Sequence, residues 1–155
     1  MTKHLTEHAG FTIERVLDAP PATVFRAFAE AEAKARWFGG AHGRWREEQR
    51  RFDFQVGGHE RLIGVWENGT VSRFDALYHD IVPGERIVYS YTMHIDEAKI
   101  SVSLATIELT AEGAGTRLKI TEQGAFLDGY DDAGSRERGT AALMDAMAAS
   151  LQSVA

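Results

Sequence analysis

The chain has 155 residues, 44% of them hydrophobic and 26% charged, which are ordinary globular proportions, and it carries a formal charge of −6. That acidic balance argues against a nucleic-acid partner, because phosphate binding needs a concentrated basic surface. There is no cysteine, so disulfides, thiolate catalysis and thiolate metal sites are excluded. Arg44, Arg46, Arg50 and Arg51 cluster locally but are interleaved with Glu47 and Glu48, the pattern of a solvated loop. Met1 to Gly10 is polar and lacks the apolar centre of a signal peptide. No run approaches the ~18 apolar residues of a membrane span, so the expected setting is the cytoplasm.

In chain order, residues 1–9 read as a flexible N-terminus and Phe11–Leu17 as a first strand, stopped by Asp18-Ala19-Pro20-Pro21. Paired prolines cannot continue a ladder but suit the first turn of a helix, whose apolar stripe is Val24, Phe25 and Phe28. A second helical piece, Ala31–Trp37, is ended by Gly39-Gly40. Residues 41–48 are polar and read as loop. Phe52, Phe54 and Val56 alternate with polar residues, which predicts a strand ending at Gly57-Gly58. His59–Trp66 returns from that turn, Asn68-Gly69 turns the chain again, and Val71–Val82 makes a longer strand that Pro83-Gly84 ends. In it Leu77, His79 and Ile81 fall on one face, and Phe74, Ala76, Tyr78 and Val82 on the other.

Ile87, Tyr89, Tyr91 and Met93 alternate with Val88, Ser90 and Thr92. Ile100, Val102 and Leu104 continue the pattern, but the phase then shifts to Ile107 and Leu109, which predicts a β-bulge across Ala105-Thr106. After a turn at 111–115, Leu118, Ile120 and Glu122 share one face of the last strand. The one long helical pattern is Ser135–Val154: Leu143, Met147, Leu151 and Val154 recur at helical spacing and Met144 widens the stripe. Asp132 or Ser135 can cap it. Twenty residues make a rod of roughly 30 Å, which needs a large apolar surface to lie against. The order predicts a single α+β domain over 1–155, a curved antiparallel sheet wrapped over the C-terminal helix, with two short helices after the first strand.

Motifs for cofactor or metal chemistry do not occur in this order of elements. The six histidines (4, 8, 42, 59, 79, 94) show no metal-ligand spacing, and the glycine pairs lie in turns without P-loop or dinucleotide patterns. No metal and no cofactor are therefore expected. What remains is polar groups on apolar strand faces. His79 lies between Leu77 and Ile81, Glu122 follows Ile120, and Tyr89 and Tyr91 carry hydroxyls into the space lined by Ile87 and Met93. A buried polar group is hydrogen-bonded, wet at a rim, or part of a site. Aromatic residues, Trp37, Phe54, Trp66 and Phe126 among them, are spread over every element. A sheet curved around one helix leaves space for a small-molecule pocket, and Met144 and Met147 would form its adaptable helical wall.

Several strings resemble a known family. IERVLDAPPATVFRAF (13–28), Trp37-Phe38, FDFQVGGHERL (52–62), DIVPGERIVYSY (80–91) and, most specifically, ISVSLATIELTAEGAGTRLKITEQGAFLDG (100–129) are similar to the START-like, or SRPBCC, superfamily. Within it they resemble the bacterial proteins named after the C-terminal domain of the activator of heat-shock protein 90 ATPase. The resemblance implies a helix-grip fold with a cavity between sheet and long helix, and it covers almost the whole chain. Superfamily members bind lipids, hormones and polyketides, and some are cyclases or hydroxylase components. The eukaryotic co-chaperone's separate N-terminal domain, which does most of the chaperone binding, has no counterpart in these 155 residues.

The expected function is binding of a small apolar or amphipathic molecule by Trp37, Phe54, Trp66, His79, Tyr89, Tyr91, Glu122, Phe126, Met144 and Met147, with a homodimer left open. Two alternatives stand beside it. One is a stress-related co-chaperone with a chaperone partner, which an exposed apolar patch on the outer sheet would favour. The other is a cyclase-like enzyme using Glu122 or His79 as acid or base, which a perturbed carboxylate beside an open cavity would favour.

Overall fold

In the computed structural model, which describes residues 4–40 and 43–152, seven strands and three helices follow one another as the sequence order predicts: a strand, two short helices, six strands and a long helix. They are β1 (Thr6–Leu17), α1 (Pro21–Ala29), α2 (Ala31–Ala35), β2 (Trp45–Phe52), β3 (His59–Trp66), β4 (Val71–Val82), β5 (Arg86–Ile95), β6 (Ala98–Glu112), β7 (Gly115–Leu127) and α3 (Ala133–Gln152). The strands form one antiparallel sheet in the order β1-β7-β6-β5-β4-β3-β2. This is the α+β helix-grip arrangement. Its first strand returns to pair along its whole length with its last, Thr6 opposite Leu127 and Leu17 opposite Thr116.

The sheet curves onto the helices through two cores. Ile13, Leu17, Val24, Phe28, Leu118, Ile120, Met144 and Met147 form the larger, where α1 and α3 cover β1, β7 and β6. Leu62, Phe74, Ala76, Tyr91 and Ala105 form the smaller, on the inner face of β3 to β6. Pro21 opens α1 and its buried residues are Val24, Ala27 and Phe28, as the proline pair and apolar stripe predict. The Trp37 indole donates to the Ala27 carbonyl (2.9 Å), tying the exit of α2 to α1. Asp132 caps α3, accepting from the Ser135 amide at 2.8 Å. Val154, the last residue of the predicted stripe, and His42 lie outside the described residues.

Four expectations are corrected. Thr6 to Ala9, read as part of a flexible terminus, are ladder residues of β1 held by Gly124–Leu127. Residues 45–48, read as loop, begin β2, and the predicted strand through Phe54 and Val56 stops instead at Phe52. β2 is an edge strand, and its charged side chains protect that edge while hiding it from a hydrophobic pattern. From Ser101 onward β6 alternates without a break: Ser101, Ser103, Ala105, Ile107 and Leu109 face inward, and Val102 and Leu104 face outward. The bulge expected at Ala105-Thr106 is absent; the irregularity lies at Ile100, opposite Met93–His94. His79, expected to share a face with Leu77 and Ile81, faces outward with Leu77, and a further bulge there, between Tyr78 and Asp80, turns Ile81 toward the core instead.

Gly139 interrupts an otherwise good helix-forming run in α3, and a Cβ built there meets nothing within 4 Å. Gly139→Ala will therefore stabilise the fold by about 0.5–1 kcal/mol, through lower unfolded-chain entropy without a clash. A rise in the urea midpoint at unchanged slope is the readout.

Candidate functional site

Between the inner face of β3–β6, the α2 exit and α3 lies a cavity of about 690 Å³. Its walls are aromatic and aliphatic: Trp37, Phe38, Phe54, Phe74 and Tyr89 stand among Leu62, Met93, Ile107 and Met144. The rings meet mostly edge to face, Phe38 with Phe74 at 5.0 Å and Phe54 with Tyr78 at 5.0 Å between centroids. The Trp45 ring, also in the lining, occupies the space that Cβ atoms would take at Gly40 and Gly64, 2.2 and 1.9 Å from its atoms. Those two glycines are what allow an indole to lie flat against β3.

Polar groups enter this lining in two places. The first is built on Glu122, buried between β1 and β6 on β7. The Tyr91 hydroxyl donates a short hydrogen bond to Glu122 Oε1, and Thr140 of α3 approaches Oε2 at 3.5 Å. Arg136, one helical turn before Thr140, donates to the Tyr91 hydroxyl (3.1 Å), Ser101 Oγ (2.8 Å) and Asp131 Oδ2 (2.9 Å). Its guanidinium lies over the Tyr91 and Phe126 rings, 5.7 and 5.4 Å from their centroids. Burial pushes the Glu122 carboxyl above its ordinary value, and the Tyr91 hydrogen bond, the Arg136 charge and the Thr140 hydroxyl offset only part of this. Burial, reinforced by the Glu122 charge, also raises the Tyr89 and Tyr91 phenols, which keeps them neutral donors.

The second is an ion pair. Lys34 of α2 is 6% exposed and Glu60 of β3 is 3% exposed, and their side chains meet at 2.6 Å. The Tyr78 hydroxyl donates to the same Glu60 oxygen at 2.5 Å and accepts from Lys34 at 3.2 Å. Lys34 Nζ lies 4.7 Å from the centre of the Phe38 ring and 5.2 Å from that of Phe52. Lys34 and Tyr78 line the cavity, and Glu60 stands behind them. Burial lowers the Lys34 ammonium below its ordinary value; the Glu60 charge and hydrogen bond oppose that shift and Arg50 adds to it.

Of the residues that the sequence singles out, Trp37, Phe54, Trp66, Tyr89, Tyr91, Glu122 and Met144 line the cavity. Three do not. His79 is exposed on the outer face, where alternation after the inward Tyr78 places it, and pairs with Ser90 Oγ at 2.7 Å. Met147 is fully buried in the packed core beside α1. Phe126 backs Arg136 rather than the cavity. Lys34, Glu60, Tyr78, Trp45, Arg136 and Thr140 were missed, though two signals were present. Glu60 shares the inward period of Leu62 and Gly64, and Arg136, Thr140, Met144 and Met147 follow one another at four, four and three residues.

Among the described residues no group of three or more His, Cys, Asp or Glu could hold a metal ion. No helix among them is long and apolar enough to cross a membrane.

Comparison with known proteins gives a consistent result. The structure is similar to that of a protein from Rhizobium leguminosarum, at 44% identity and a TM-score of 0.92, covering 97% of this chain and 99% of the other. A protein from Rhizobium loti is 46% identical, with a TM-score of 0.87 over 94% and 99% of the two chains. The CV1439 protein from Chromobacterium violaceum is 28% identical, with a TM-score of 0.75 over 90% and 94%. No curated protein matches significantly. The family model described as "Activator of Hsp90 ATPase homolog 1-like protein" matches residues 18–154, and the chain belongs to that family of the START-like superfamily.

Proposed function

We propose that the chain binds one small amphipathic molecule in the cavity, its apolar body against the aromatic wall and its polar head toward Glu122, Tyr91 and Arg136. The observation that carries this reading is the combination of volume and lining. About 690 Å³ falls within the ~300–1,000 Å³ usual for small-molecule sites, and a few convergent polar groups interrupt an apolar surface. Partners at the polar end are already mutually hydrogen-bonded, so a ligand head need supply only one or two bonds rather than rescue unsatisfied groups.

A second reading, acid–base catalysis on the bound molecule, is favoured by Glu122 itself, a carboxyl raised by burial at the edge of the cavity. His79, on the outer face, offers that reading no support. The outer sheet does expose Val102 and Leu104, at 42% and 40%. Two such side chains are common on any monomer and do not by themselves argue for a protein partner.

The test is a titration with a hydrophobic fluorescent probe, together with native mass spectrometry of the protein as purified. The expected results are saturable binding at one site and a retained small molecule. Met93→Trp, which adds volume on the β5 wall, will weaken probe binding by about tenfold or more with a stability change below about 1.5 kcal/mol. Unchanged affinity together with a loss of several kcal/mol would mean that the interior around Met93 is closed, and would overturn the proposal.

A further inference from the structure

We infer that Lys34 is a covalent capture site for an aldehyde or ketone with an apolar or aromatic body, forming an iminium on its Nζ with Glu60 and Tyr78 as the proton-handling pair. The inference rests on the reading of the cavity as a ligand site, and names the chemistry at its second polar group.

The geometry supports each part. Among the described residues Lys34 is the one lysine in the cavity lining, and its ammonium has three donor positions. Two are used, toward Glu60 Oε1 at 2.6 Å and the Tyr78 hydroxyl at 3.2 Å, and the third has no hydrogen-bond acceptor among the described residues. Its surroundings are ring faces, Phe38 and Phe52, rather than water. A desolvated amine in an apolar pocket is the environment that activates lysine as a nucleophile toward carbonyls. A purely structural purpose explains the pair poorly, since a buried Lys–Glu pair is often no more stabilising than apolar packing of the same volume.

The chemistry closes without any other reactant. Glu60 takes one proton from the Lys34 ammonium across their hydrogen bond, leaving a neutral amine. The nitrogen lone pair attacks the carbonyl carbon, the C=O π electrons move to oxygen, and Tyr78 donates a proton to that oxygen while recovering one from Glu60. The resulting carbinolamine nitrogen keeps two hydrogens until one is lost to Glu60. Glu60 returns this proton, by way of Tyr78, to the hydroxyl oxygen as the C–O bond breaks and the nitrogen lone pair forms C=N, releasing water. The net change is ammonium plus carbonyl to iminium plus water, with the Glu60 carboxylate restored. One positive charge faces Glu60 before and after, so the pocket that holds the ammonium also suits the iminium. The Tyr78 hydroxyl, 2.5 Å from Glu60 on a side chain that lines the cavity, carries that carboxylate's proton to the ligand oxygen.

The experiment uses the whole chain. Phenylpropanal is added at pH 7 with cyanoborohydride, which reduces an iminium to a stable secondary amine, and the adduct is mapped by peptide mass spectrometry. The chain has lysines only at 3, 34, 99 and 119, so the assignment is unambiguous. In parallel, phenylpropanol, which cannot form an iminium, is titrated against the fluorescent probe. The expected result is labelling at Lys34 at least about tenfold faster than at Lys99 or Lys119, suppressed by excess phenylpropanol. Tyr78→Phe, which keeps the ring and removes the hydroxyl, will slow labelling at Lys34 without abolishing phenylpropanol binding. Labelling confined to Lys99, Lys119 and the terminus, while phenylpropanol displaces the probe, would overturn the capture site and leave the binding reading intact. No displacement and no Lys34 adduct would overturn both.

Discussion

Glu60→Ala will cost the fold about 3–5 kcal/mol, the largest loss expected from any single polar substitution in this chain. Lys34 and Glu60 are both almost wholly buried and meet at 2.6 Å, so truncating the acid strands an ammonium whose one remaining hydrogen-bond partner among the described residues is the Tyr78 hydroxyl. The sign of the pH dependence follows from Lys34. Desolvation already lowers its folded pKa, and Glu60 is the group that opposes this shift, so the variant lowers it further. Between the folded value and the unfolded value of about 10.4 the unfolded chain binds more protons, so the variant's stability rises with pH. The penalty is complete below the folded pKa and eases as pH approaches about 10.4. Combining Lys34→Met with Glu60→Leu removes both charges and should recover most of the loss, whereas Lys34→Met alone leaves a buried carboxylate and should not. Urea denaturation followed by tryptophan emission measures all four proteins. A Glu60→Ala loss below about 1 kcal/mol, flat with pH, would show that water reaches the pair.

That pair also shows where the sequence stops being legible. Strands whose inner faces are apolar could be read to the residue: β3 and β4 carry Leu62, Phe74, Ala76 and Tyr78 inward, and both have the bounds that their alternation predicts. The proline pair located α1 for the same reason, since a fixed φ and a missing N–H have one comfortable place. Reading failed where tertiary contacts invert the usual preference. The irregularity at Ile100 turns Ser101 inward, where Arg136 donates to it, and leaves Val102 and Leu104 outside, so the apolar pattern of β6 reports the wrong face. A single extra residue at His79 flips Ile81 to the inner face, and no property of the local string marks that insertion. Lys34, between Ala33 and Ala35 in a five-residue helix, looks like any solvated lysine. Only the arrival of Glu60 and Tyr78 from two other elements makes it a buried one.

Glu122→Gln tests the other polar group, and here the expected change lies in ligand binding and in pH dependence rather than in a loss of stability. Burial raises the folded pKa of Glu122 beyond what Tyr91, Arg136 and Thr140 offset. The folded state thus binds more protons than the unfolded state between the ordinary carboxyl value of about 4.3 and the folded pKa. Stability from this group is fully present below about 4.3 and is lost as pH rises through the folded pKa. The amide has nearly the same shape, is neutral at every pH and can still accept from Tyr91. Above the folded pKa the variant will therefore be at least as stable as wild type, and the fall in stability over that window will disappear from its profile. Binding will move in opposite directions for two ligand heads. An acidic head gains, because the carboxylate that repels it is gone while Arg136 stays within reach through Tyr91; a basic head loses its counter-charge and weakens by about tenfold or more. Denaturation midpoints across pH and paired titrations with an alkyl carboxylate and an alkylamine supply both readouts. A loss of about 1–3 kcal/mol at neutral pH with no change in either titration would make Glu122 a structural acceptor for Tyr91 and Thr140, and would move the ligand's polar head away from this end of the cavity.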